Sequence, residues 1–265
     1  MQYNPIKKRL STFFSKYSFL RVFFYKLLDL LLLRAWHIHK ELKQWAEDKR
    51  DKTLHILDAG AGFGQYAYYL SNMSTHWNIL AIDNQSEYVC SCNRFFHKHH
   101  KQNILYKTEN LLDFAPKNNF DLILSVDVIE QIKEDDQVIG NFYKSLKEEG
   151  MLLMFVPSCK QEENAKDSFC DEQIRAGYSV EEIRHKLKQA GFNRVETKYT
   201  YGKSGSVSWE LSMKYPILAV GTSKYLFSIL PFYYLFIYPI CYILNLIDLY
   251  THHKEGTGIL VKAWK

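Results

Sequence analysis

Between Leu54 and Tyr201, short apolar runs alternate with helix-forming stretches, and this rhythm is the strongest constraint on the fold. The runs are LHILDAG (54–60), NILAIDN (78–84), ILYKTENL (104–111), FDLILSVDVI (120–129), GMLLMFVPS (150–158) and RVETKYTY (194–201). Such runs, rich in Ile, Leu and Val and bounded by Gly, Asp or Asn, read as strands. Gln65 to Met73, a stretch ending at His100, Asp135 to Lys147, and Ser179 to Ala190 read as the helices between them. Ser179 followed by Glu182 has the capping-box spacing, and Gly191 stops that helix. Strands separated by helices form a parallel sheet covered on both faces. GTGILVKAWK (256–265) reads as a last strand that pairs with RVETKYTY.

Such a sheet binds ligand at the carboxyl ends of its strands. Gly60, Gly62 and Gly64 follow the first strand, where bare backbone and free helix N–H groups meet a ligand. The spacing is not G-x-G-x-x-G, because Gln65 follows Gly64, and no G-K-[ST] ending makes a phosphate loop. Asp58, just before the loop, repels a pyrophosphate and attracts an ammonium. Asp83, ending the second strand, is placed to accept bonds from a ribose diol. A ligand with a cationic amino-acid end and a ribose satisfies both acids, and S-adenosylmethionine is such a molecule.

With these motifs the chain resembles the class I S-adenosylmethionine-dependent methyltransferases, from about Leu54 to Phe192 plus the final strand. DAGAGFG is similar to the family's first motif, and AIDN, with Asp83 and Asn84, to its second. ENLLDF is similar to the third, which implies Asp113 near the adenine amino group with Leu112 beside it. FDLILSVDVIEQI is similar to the fourth, which implies Ser125, Asp127 and Glu130 near the methionine end or the acceptor. The resemblance implies a Rossmann-like α/β fold with a seven-stranded sheet whose last strand is antiparallel.

Two departures bear on the chemistry. Where many small-molecule members read D-V-x-E-H, this chain has Gln131 in the histidine position. In QIRAGY, Gln173 stands where related members have histidine, with Arg175 and Tyr178 retained. Glutamine takes up no proton near neutral pH. A general base for the acceptor must therefore come from Glu130, Asp127, Tyr178 or His185, unless alignment alone supplies the rate.

Residues 1–49 and 202–255 lie outside this pattern. Residues 5–49 read as a basic amphipathic helix, either packed on the domain or lying on a membrane. The 202–255 insertion carries no charged residue from Tyr225 to Leu246. One full membrane crossing would strand the last β-strand on the wrong side, so a broken or hairpin helix pair, bent near Pro231 or Pro239, is expected. It acts either as a lid on an apolar pocket or as a membrane-associated surface. SGSVSWE (204–210) is expected as a polar loop at the pocket mouth, with Trp209 as a wall residue. An apolar or lipid-like acceptor follows from either reading. The net charge of +5 is mild, so nucleic acid is not an expected partner, although an anionic membrane surface is compatible. Five cysteines without a CxxC pair read as reduced thiols in a cytoplasmic protein peripheral to the membrane, and no metal site is expected. Lys16, Arg21 and Lys26 interrupt the first apolar run, and no cleavable leader is expected. The rival readings are a membrane-associated cofactor-binding protein without catalysis and a protein or nucleic-acid methyltransferase.

Overall fold

The computed structural model describes residues 18–159, 175–222 and 228–265. Its centre is a seven-stranded sheet in the order β3-β2-β1-β4-β5-β7-β6. The strands are β1 (Leu54–Ala59), β2 (Trp77–Asp83), β3 (Ile104–Thr108), β4 (Phe120–Val126), β5 (Leu146–Pro157), β6 (Arg194–Thr200) and β7 (Gly258–Trp264). β7 runs antiparallel between β5 and β6, with Val261 opposite both Met154 and Thr197. The order reverses between β1 and β4, and that switch point opens the crevice for a ligand.

Helices cover both faces. α1 (Ser18–Leu31), α2 (Leu33–Trp45), α3 (Gln65–Met73) and α4 (Ser86–Lys98) precede β3 in the chain. α5 (Asp135–Ser145) and α6 (Val180–Ala190) follow β4 and β5. One core joins Ile38, Leu42, Ala67, Leu70 and Phe95 to one side of the sheet. The other joins Phe142, Ile183 and Leu187 to the opposite side. A fully buried Leu or Ile contributes about 2 kcal/mol, so Ile38 and Leu42 alone fasten α2 firmly. The α6 cap forms as the sequence indicates: Ser179 Oγ accepts from Glu182 N at 3.0 Å, and Gly191 takes φ +112°.

The continuous helix expected over residues 5–49 is instead two helices where it is described; residues 5–17 lie outside the described residues. Leu32 is extended at φ −92° and ψ 108°. No Gly or Pro marks the break. Tyr201, at the end of β6, supplies it: its hydroxyl accepts the Arg34 N–H at 2.9 Å, at the start of α2. The two limbs differ in kind. α2 buries Leu33, Ile38 and Leu42, whereas α1 buries only Arg21 and Tyr25 and leaves Phe19 and Phe23 exposed.

The insertion is mostly helical in its described part, and residues 251–255 return as irregular chain to the last strand. SGSVSWE is not a loop: it falls in α7 (Lys203–Trp209), followed by a π-turn (Glu210–Lys214), α8 (Tyr215–Thr222) and α9 (Leu230–Tyr250). α9 continues through Pro239 without ending there, and the break in the helical path comes before Leu230, next to Pro231. Pro231 lies in the first turn, where a missing N–H costs nothing. Asp248 pins the carboxyl end of α9 to the body. Its carboxylate accepts from Tyr201 N, Gly202 N and Gly205 N at 3.2, 2.8 and 3.1 Å, and pairs with His37 at 3.0 Å. A Cβ on Gly205 would lie 2.6 Å from that carboxylate, so only glycine permits this approach.

Candidate active site

The loop from Gly60 to Gly64 sits at the carboxyl end of β1. Its three glycines take φ +73°, +50° and +91°, the left-handed region that side chains rarely adopt. Their surroundings differ. A Cβ on Gly60 would strike Val128 at 2.5 Å, and one on Gly64 would strike the Tyr106 hydroxyl at 2.6 Å. A Cβ on Gly62 would meet nothing closer than the Gly60 carbonyl at 4.0 Å, so this face of the loop is open. The loop is tied to β2, where Gly60 N and Ala61 N both donate to Ile82 O at 2.9 Å. Asp83 accepts from Gly62 N and from Gln85 N, each at 2.8 Å.

Buried polar atoms gather at this edge. Asp58 is 2% exposed, and among the described residues its Oδ2 has no hydrogen-bond partner. Burial pushes its carboxyl up to about 7; the Ala67 N–H opposes this, and the nearby Asp83 charge adds to it. Ser125, at the end of β4, is buried with its Oγ likewise unpartnered among the described residues. Glu130 is fully buried, and neither of its carboxyl oxygens has a well-placed partner there. Burial first, and the Asp127 charge second, push Glu130 up to about 8. Unsatisfied buried polar groups cost about 1–3 kcal/mol each, so their clustering marks a place built for something other than stability.

The remaining sequence candidates fall into two groups. Asn84 is exposed beyond β2, and Asp113 is exposed in a turn where it accepts from Asn110 Nδ2 at 3.2 Å. Leu112 is held from behind, its carbonyl accepting from Gln137 and Asn141 of α5 at 2.8 and 2.7 Å. Asp127 takes φ +53° and forms an ion pair with Arg34 of α2. Tyr178 is held by a neighbouring acid. Its hydroxyl is buried and donates to Asp135 at 2.7 Å, and burial and that acid push it far above the usual phenol range. Arg175 turns to Glu182 at 2.7 Å, His185 is exposed on α6, and Gln173 lies outside the described residues.

Sequence reasoning missed the part that the N-terminal helices play. Arg21 Nη2 and the Tyr25 hydroxyl both donate to the Phe63 carbonyl, at 2.8 and 2.6 Å. Phe63 lies between Gly62 and Gly64, so α1 holds the glycine loop from outside. Gln65 at the start of α3 donates to Asp29 at 2.7 Å, and burial pushes Asp29 up to about 6. The one available signal was a lone Arg and Tyr at i, i+4 within an apolar helix, bland by itself.

A glycine loop with one open face, acids at the carboxyl ends of β1 and β2, and a sheet with β7 antiparallel beside β5 define a class I S-adenosylmethionine-dependent methyltransferase. The comparisons make this specific: the family described as methyltransferase domain matches residues 50–199, and the chain belongs to it. The chain is similar to a ubiquinone biosynthesis O-methyltransferase of Pelagibacter ubique (strain HTCC1062), 26% identical over 118 residues, covering 44% of this chain and 48% of the relative. It is also similar to a malonyl-[acyl-carrier protein] O-methyltransferase of Paenibacillus sp. (strain JDR-2), 27% identical over 146 residues, covering 53% and 51%. The chain thus spans about half the length of these curated relatives. Phosphoethanolamine N-methyltransferase 2 of Haemonchus contortus, solved with S-adenosyl-L-methionine, shares the fold at TM-score 0.57 and 17% identity, covering 91% of this chain and 60% of that one.

Proposed function

We propose that this protein transfers a methyl group from S-adenosylmethionine to an apolar or lipid-like acceptor, working at the cytoplasmic surface of a membrane. The observation that carries the cofactor assignment is the buried, unpartnered Asp58 Oδ2 beside a glycine loop open at Gly62. Bound there, the cofactor supplies a methyl group already activated by its sulfonium. Asp58 holds the ammonium of the amino-acid end, and its high proton affinity in the free protein falls when that cation arrives. Gly60, Gly62 and Gly64 let the backbone come close. Asp83 has lone pairs left for ribose hydroxyls after accepting from Gly62 and Gln85. Asn84, Leu112 and Asp113 border the base, and Ser125 offers a hydroxyl to the methionine end.

Glu130 is the group best suited to take a proton from the acceptor. It is buried, and its carboxyl sits near 8, close to a working pH, which is where a general base is most effective. The Asp127 charge adds to the effect of burial on Glu130, and Arg34, paired with Asp127, offsets part of it. Tyr178 buttresses the start of α5 through Asp135 and takes no proton. The apolar insertion, with α9 apolar over 21 residues, supports an apolar acceptor. Among the curated relatives, one is named for ubiquinone biosynthesis and one for a malonyl carrier protein, and both are O-methyltransferases, which supports oxygen as the atom methylated.

The test pairs two measurements on the purified chain. Calorimetry with S-adenosylhomocysteine is expected to show binding that Asp58→Asn removes. Incubation with methyl-labelled cofactor and a lipid extract is expected to label an organic-soluble product. Binding without any labelled product from lipids or small molecules would favour a non-catalytic cofactor-binding protein, and no binding at all would overturn the reading.

A further inference from the structure

α9 is built inside out. Its inward side carries polar groups beside the buried Cys241 and Leu249: the Tyr233 and Tyr234 hydroxyls donate to the Leu211 and Ser212 carbonyls at 2.7 and 2.6 Å, and Asn245 and Asp248 are buried. Its outward positions are apolar: Phe232, Leu235, Phe236, Ile240, Ile243 and Ile247 are 49–72% exposed. They recur every three or four residues, a continuous stripe on a helix about 30 Å long. A water-facing helix carries charge on that side, and α9 carries none there.

α1 has the same outward character and a second, inward duty. Phe19, Phe23 and Leu30 are 69%, 56% and 43% exposed, with Lys26 exposed between them. The opposite face delivers Arg21 and Tyr25 to the Phe63 carbonyl in the glycine loop. The two outward surfaces join where α1 ends. The Tyr238 hydroxyl of α9 donates to Leu30 O at 3.4 Å, and the Trp36 ring meets the Tyr242 ring edge-on at 5.1 Å.

We infer that the joined outward faces of α1 and α9 dock on an anionic bilayer, and that docking tightens the cofactor site through Arg21 and Tyr25. This inference rests on the methyltransferase reading above. The occupant follows from chemistry. Acyl chains accept a long apolar stripe without charge complementarity, and tyrosine and tryptophan at the junction suit the lipid headgroup level. Lys26, exposed between Phe23 and Leu30, supplies a positive charge for anionic headgroups. Asp248 and β7 hold the carboxyl end of α9 at the sheet, so the helix lies against the bilayer instead of crossing it. Lipid favours the state in which α1 is seated, because only then does its stripe continue that of α9. That same seating holds Phe63. Coupling between two sites is reciprocal, so whatever lipid does for the loop, the cofactor does for lipid binding.

The experiment measures S-adenosylhomocysteine affinity of the full chain by calorimetry, with and without phosphatidylglycerol–phosphatidylcholine vesicles, alongside flotation. Anionic vesicles are expected to carry the protein upward and to lower its Kd about fivefold or more. The double variant F232S/F236S is expected to bind the nucleoside in solution as before, without floating or responding to vesicles. Arg21→Met is expected to float yet show no vesicle-induced change in Kd; should it not fold, F19S/F23S is expected to weaken both effects together. Flotation with an unchanged Kd would overturn the coupling and leave the methyltransferase reading intact. Absence of flotation, or a concentration-dependent dimer abolished by F232S/F236S, would overturn the bilayer as occupant. Failure to bind the nucleoside in every condition would overturn both readings.

Discussion

Replacing Asp58 by Asn removes a charge that the fold holds at a loss and the cofactor needs. The Asp58 carboxyl is raised from 3.8 to about 7 because it is buried beside Asp83. Three pH units correspond to about 4 kcal/mol between its folded and unfolded ionisation. The folded chain therefore binds this proton more tightly than the unfolded chain. Its stabilising effect is complete below the unfolded value and is lost as pH rises through about 7. Asn escapes that loss but buries an N–H with no acceptor, at about 1–3 kcal/mol. The two proteins should thus exchange order. Near pH 4.5 the wild type is equal or more stable; at pH 8 Asp58→Asn leads by about 2 kcal/mol, or roughly 4–8 °C in Tm. The same change should weaken S-adenosylhomocysteine binding by about 30-fold or more, since a buried partner for its ammonium is gone. Thermal unfolding of both proteins without ligand from pH 4.5 to 8.5, with calorimetry at pH 8, checks this. A stability difference that does not change with pH, or a variant that keeps its affinity, would refute the electrostatic account of the site.

Other expectations follow from the same geometry. Gly62→Ala should fold with a loss of about 1–2 kcal/mol from its left-handed backbone, yet bind the nucleoside poorly; Gly64→Ala, blocked by the Tyr106 and Tyr25 hydroxyls, should lose more stability, as urea unfolding would reveal. Glu130→Gln should retain nucleoside binding while kcat falls about 100-fold or more and its rise through pH 8 flattens, read from a pH–rate profile. Asp248→Ala strips three backbone N–H groups and His37 of their acceptor and should cost about 3–5 kcal/mol, seen as a lower Tm and faster proteolysis within 202–255.

The central strands β1, β2, β4 and β5 were legible because each contains a short apolar run bounded by Gly, Asp or Asn, and burial on both faces leaves such runs few alternatives. The β1 glycines and the acids Asp58 and Asp83 were legible for a similar reason: local chain geometry demands glycine, and an acid beside a bare loop has few structural uses. The roles of the other candidates were harder to read. Asp135 takes up the Tyr178 hydroxyl, and α5 lies eight residues beyond β4 in the chain. The break at Leu32 leaves no trace in LLLLRA, because its cap is a hydroxyl contributed by Tyr201 of the distant β6 end.

Sequence by itself determined the alternation of elements, the position of the glycine loop and the pair of acids flanking it. These depend on local periodicity and on backbone freedom, and both are written residue by residue. Only the tertiary structure decided that Arg21 and Tyr25 clasp that loop, that Arg34 meets Asp127, and that α9 turns its polar side inward around Asp248. Each is a contact between segments far apart along the chain, and a single helical pattern shows that a face exists without showing what it faces.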